Sequence, residues 1–134
     1  APEWAFWMDD GNMSRAPDAM KPGFQNVRRI FGALGSKVSQ YEPGKDIVPG
    51  IQSIATPGHT PGHLAVVVDT ADGRYCITGD AVMWYENLEK RIPPGIHTSM
   101  IECMASFERI AREADHVLPG HEPKVFARQP ARFP

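Results

Sequence analysis

Three apolar runs in this chain each end in glycine followed at once by a side chain that can hold a metal: IQSIATPG before His59, YCITG before Asp80 and HVLPG before His121. Each run has the length and β-branched content of a buried strand, and a glycine at its exit lets the backbone turn sharply or approach another group closely. The side chains that follow are thereby presented at strand ends. Two imidazoles and one carboxylate delivered together suit zinc or a related borderline metal. A single Gly-His or Gly-Asp is an ordinary turn, so the threefold repetition carries the expectation. The phrase Thr56-Pro57-Gly58-His59-Thr60-Pro61-Gly62-His63 adds to it, with two prolines and two glycines in eight residues. Such a loop is stiff, and it fixes its imidazoles before a metal arrives, which lowers the ordering cost of binding. We therefore expect His59, Asp80 and His121 to converge on one sheet edge.

Helices and strands alternate along the chain without repeats or low-complexity stretches. Trp4, Trp7 and Met8 recur at helical spacing and predict a short amphipathic helix over Pro2 to Asp10, closed near Gly11, its aromatics serving as core or as an interface. A polar stretch follows, and Phe24, Val27, Ile30, Phe31 and Leu34 then mark a second helix ending near Gly35. Strands are expected at Val38 to Tyr41, Gln52 to Ala55, Leu64 to Asp69, Tyr75 to Thr78 and His116 to Leu118, with a hairpin turn at Ala71-Asp72-Gly73. Ser99-Met100-Ile101-Glu102 is a capping-box pattern, backed by a stripe of Cys103, Phe107 and Ile110. Glu108 and Arg112 stand four apart and predict a solvated ion pair. Beyond His121 we expect a surface tail packed by Phe126 or Phe133. The interleaving points to an α/β fold, a mixed sheet with helices on one face.

At 134 residues with 42% hydrophobic content the chain can bury one core, and we expect one folding unit over residues 1–134. A net charge of −2 with scattered basic residues leaves no footprint for nucleic acid. The longest aliphatic run, Leu64 to Val68, is far short of a membrane span, and no charged-then-apolar signal segment opens the chain, so the cytoplasm is the default expectation. Cys76 and Cys103 fall in apolar patterns and read as small buried hydrophobes, with a bridge between them the open alternative.

TPGHTPGH after a strand, then a strand ending ITGDA, then VLPGHEP, together resemble the C-terminal half of a metallo-β-lactamase-fold hydrolase, over about Ala1 to Pro134. The resemblance implies half of an αββα sandwich and assigns the residues in turn. His59 matches the ligand completing one metal position, Asp80 a carboxylate bridging two, and His121 a ligand of the second. His63 matches no ligand position and is expected to support the loop or the ligands. The family's remaining ligands come from an HxHxDH motif, and this chain has none: its five histidines are His59, His63, His97, His116 and His121, no two of them two residues apart. We therefore expect a single partial domain whose N-terminal HxHxDH part is absent, leaving apolar faces that favour self-association or docking with that part.

The stretch from Ala81 to His97 reads as a long loop rich in aromatic and polar groups directly after a proposed ligand. Its wording is similar to the N-acyl-homoserine-lactonase-like branch, in which a Tyr three residues after the bridging Asp helps polarise the substrate carbonyl. Here Met83 holds that position and the nearest phenol is Tyr85. Tyr85 is the candidate electrophilic helper, and His97 reads as a surface residue near a helix start. The resemblance implies an intact enzyme with two zinc ions that hydrolyses a lactone or small carboxylic ester through a metal-activated water. Two other readings stay open: an iron-dependent dioxygenase of the same fold, since two His and a carboxylate also make an Fe(II) triad, and an inactive or partner-dependent half-domain.

Overall fold

The structure is a computed structural model that describes residues 2–127. Where one folding unit was expected, the chain divides into two compact units, Ala1–Tyr41 and Glu42–Pro134. The first is helical: α1 (Pro2–Met8), α2 (Asp10–Arg15) and α3 (Lys21–Leu34). The predicted opening helix stops earlier than Gly11 and a second begins at once, because the Asp9 carboxylate accepts the Asn12 N–H at 2.6 Å and caps α2. The aromatics are core of this unit. Trp4 stacks on Phe31 with centroids 4.5 Å apart, and Phe6 and Trp7 pack on Phe24, which is 1% exposed. The Arg28 guanidinium ties α3 to its neighbours, donating from Nε to the Trp7 carbonyl at 2.8 Å and from Nη1 to Asp10 at 2.7 Å.

The second unit holds a five-stranded sheet in the order β1 (Asp46–Val48), β2 (Ile51–Ala55), β3 (Leu64–Thr70), β4 (Gly73–Ile77) and β5 (His116–Leu118). Pairing is antiparallel except between β4 and β5, so the sheet is mixed. The predicted strand at Val38 to Tyr41 does not form. Ser39, Gln40 and Tyr41 lie exposed with no ladder partner, and the first strand comes after Pro43-Gly44, where Asp46–Val48 folds back on Ile51 and Gln52. The hairpin at 71–73 forms as expected, and the Thr70 hydroxyl, accepting from the Asp72 N–H and donating to the Gly73 carbonyl, closes it.

Period-two alternation sorts the sheet's side chains. Ile54, Ala65, Val67, Cys76 and Val117 turn to one face and join a core with Tyr85 and Leu88 of α4 (Tyr85–Lys90) and Phe107 and Ile110 of α5 (Met100–Glu113). The core sits between the sheet and these helices. On the other face the register lines up Val66, Ile77 and Leu118, flanked by Leu64 and Val68, with Leu64 37% and Ile77 48% exposed. Both thiols are free and buried, and burial pushes Cys76 up to about 12, so it stays a neutral thiol at physiological pH.

Other expectations need correction. The stretch from Ala81 to His97 is not a continuous loop: it contains α4, with the Asn87 side chain accepting the Trp84 N–H at 2.9 Å at its start. Glu108 does not pair with Arg112; its carboxylate meets Arg91, while Arg112 Nε lies 3.9 Å from Glu113. Phe126 is 99% exposed rather than packed under the tail, and Phe133 lies outside the described residues. Among the described residues no helix is long and apolar enough to cross a membrane.

Candidate metal centre

The three Gly-exits meet because two of them lie on neighbouring parallel strands. β4 and β5 pair from Tyr75↔His116 to Ile77↔Leu118, and Thr78 continues the ladder by donating its N–H to the Leu118 carbonyl at 3.1 Å. Beyond that point the two chains touch. A Cβ on Gly120 would stand 2.3 Å from the Gly79 carbonyl oxygen, closer than real Cβ atoms come to anything. The close approach places Asp80 and His121 side by side, and the backbone N–H groups of Gly120 and His121 donate to the Val82 and Met83 carbonyls, each at 2.9 Å.

His59 arrives from the other side. Gly58 has φ +131°, and a Cβ there would lie 2.4 Å from the Cys103 nitrogen, so only glycine lets the loop rest on the first turn of α5. Its carbonyl accepts the backbone N–H groups of Thr98 and Ser99 and the Thr98 hydroxyl, and buried Ser106 donates to the Pro57 carbonyl at 2.6 Å. His59 Nδ1 donates to the Ile96 carbonyl at 2.7 Å, which leaves Nε2 as the outward atom of the neutral ring. The segment expected to carry substrate chemistry thus also orients His59.

The structure brings His59, Asp80 and His121 together. His59 Nε2 lies 3.3 Å from Asp80 Oδ2 and His121 Nε2 lies 2.6 Å from Asp80 Oδ1. One carboxylate faces two imidazoles, a different oxygen toward each. The donor chemistry suits zinc, but the number does not close a cage: among the described residues no group of three or more His, Cys, Asp or Glu is placed to hold a metal ion.

Tyr85 opens α4, 3% exposed in the core, its N–H donating at 3.1 Å to Oε2 of Glu122, the residue after His121. His97 is half-buried, with Nδ1 donating to the Pro94 carbonyl at 2.7 Å. Sequence reading missed Ser106, Thr98 and Glu122. Ser106 falls on the buried stripe of α5 between Cys103 and Phe107, and a small polar residue there was the available signal.

Fold and site together define an α/β protein that presents two imidazoles and a shared carboxylate at strand exits. The chain belongs to the metallo-beta-lactamase superfamily, whose family model matches residues 1–121. It is similar to an N-acyl homoserine lactonase of Bacillus thuringiensis, 32% identical over 83 residues, covering 58% of this chain and 32% of the relative. Among solved structures it resembles an N-acyl homoserine lactone hydrolase with the product N-hexanoyl-L-homoserine bound at the catalytic metal center (TM-score 0.55, 27% identity, 65% of this chain and 36% of that one). The hydrolase AbOPH of the beta lactamase superfamily shares the fold over 92% of this chain and 46% of its own, at TM-score 0.72 and 19% identity. The chain spans between 20% and 48% of the length of curated relatives that it matches.

The contact between the two glycine exits gives a direct prediction. Gly120→Ala forces a methyl into the Gly79 carbonyl and should lower stability by about 1–3 kcal/mol, the range for overpacking a tight contact. Gly95→Ala, where a Cβ meets nothing within 4 Å, should stay within about 0.5 kcal/mol in the same urea titration.

Proposed function

We propose that the intact protein is a zinc-dependent hydrolase that opens a lactone or cleaves another small carboxylic ester, with His59, Asp80 and His121 among its metal ligands. The observation that carries this reading is the Asp80 carboxylate facing a different imidazole with each oxygen. The likeness to N-acyl homoserine lactonases supports the substrate class. Bound zinc would supply a water of pKa about 7 and polarise the scissile carbonyl. The chain's own part is placement. The Ile96 carbonyl sets the His59 tautomer, the Gly79–Gly120 contact sets the spacing of Asp80 and His121, and the ring of His121, 54% exposed, stands open to a small molecule. The apolar sheet face with Ile77 and Leu64 would be covered in the intact protein by the portion bearing HxHxDH, or by self-association of this chain alone.

Hydrolysis of an N-acyl homoserine lactone by the intact protein, followed before and after chelation, tests the reading. Activity should disappear with the metal and return with two zinc ions per chain. Activity indifferent to chelator, or restored by iron and not zinc, would overturn it.

Tyr85 enters this reading as the hydroxyl that helps polarise the carbonyl, and its burial makes core packing the competing role. Tyr85→Phe decides between them. A polarising role predicts a turnover loss on the order of 10²-fold with metal content unchanged; an unchanged rate assigns Tyr85 to packing.

A further inference from the structure

The second histidine of the doubled phrase has no place among the ligands, yet it is wired to one of them. His63 Nε2 accepts the backbone N–H of Asp80 at 3.1 Å. Because that nitrogen accepts, the ring's proton sits on Nδ1, which donates to the Thr56 hydroxyl at 2.8 Å. Thr56 is fully buried, and its own N–H donates to the His63 carbonyl at 2.9 Å, so the first and last residues of the phrase are joined twice and the loop closes on itself. The ring lies beneath the turn that delivers the carboxylate: Gly79 has φ +52°, and a Cβ there would stand 3.1 Å from His63 Nε2.

We infer that His63 is a positioning residue, holding the Asp80 turn from behind so that the carboxylate faces His59 and His121. The same octapeptide then does two things: His59 faces the carboxylate directly and His63, its ring centroid 6.0 Å from that of His59, holds the backbone carrying it. The inference rests on the metal-ligand reading of Asp80. Groups behind metal ligands are worth about 10- to 100-fold in metal affinity, which sets the expected size.

The test uses the 134-residue chain and two readouts: zinc affinity by competition with a chromophoric chelator, and amide hydrogen exchange at Asp80. His63→Ala removes the acceptor, and should weaken zinc about 10- to 100-fold and speed exchange at Asp80 on the order of tenfold relative to Cys76 in β4. His63→Gln places a side-chain oxygen where Nε2 stood, so it should recover most of both. Gln is a poor zinc ligand. If His63→Gln fails to recover zinc affinity while keeping Asp80 protected, His63 is itself a ligand and the inference is wrong. Unchanged exchange at Asp80 in His63→Ala also overturns it. His59→Ala separates the two levels: zinc affinity indifferent to His59 sinks the metal reading, while exchange at Asp80 still decides whether His63 holds the turn.

Discussion

Asp80→Ala in the intact protein should yield a folded protein that has lost both zinc ions and turnover on the order of 10³-fold or more. The size follows from the carboxylate's double engagement. His59 and His121 each contact one oxygen of Asp80, so on the proposed reading replacing either imidazole would strip one metal position, whereas replacing Asp80 would strip both. Asp80 is 36% exposed at its side chain, and its contacts in the chain are partly solvated. Their loss should therefore cost no more than about 1 kcal/mol of stability. Metal content by mass spectrometry, hydrolysis rate and urea midpoint on one preparation separate the outcomes. Near-normal zinc and turnover would remove Asp80 from the site.

The chain by itself should bind zinc weakly and hydrolyse no lactone at a measurable rate. On the proposed reading three protein donors divided over two positions would leave each metal with at most two, whereas a catalytic zinc site has three protein ligands and a water. Solvent would fill the remaining positions, and the bound water would lack the dry, shaped cavity that tunes its acidity. Adding a segment bearing HxHxDH should restore tight zinc binding and hydrolysis together, and should cover the exposed Ile77 and Leu64 face. Co-purification of the two pieces, with chelator-sensitive lactone hydrolysis appearing only in the mixture, is the expected result. Efficient hydrolysis by the 134 residues alone would contradict it.

Much of the second unit was legible because its signals are local. β2, β3 and the 71–73 hairpin follow from alternation and turn residues, and α5 follows from Ser99, whose hydroxyl accepts the Glu102 N–H at 3.2 Å, and from the stripe behind it. The missed pieces depend on distant partners. Asp46–Val48 is too short to announce itself and becomes a strand only by pairing with β2, while Val38 to Tyr41, with the better strand composition, finds no edge. α4 was hidden because Asn87 caps its start through a side chain and joins the return segment through Ile92, contacts without a residue pattern.

The site divides in the same way. Glycine before each candidate ligand was visible in the sequence, but its reason was not: Gly120 is required by the Gly79 carbonyl and Gly58 by the backbone of Cys103, both far along the chain. The role of Ile96 in orienting His59 depends equally on a tertiary contact.

His59, Asp80 and His121 are the proposed metal ligands. A crystal of the intact protein grown with zinc, measured at the zinc absorption edge, tests this most directly. Two anomalous peaks are expected, one bonded to His59 and Asp80 and one to His121 and Asp80, with ligand distances of about 2.0–2.2 Å. Peaks that leave any of these three side chains unbound, or that lie at other residues altogether, would contradict the account.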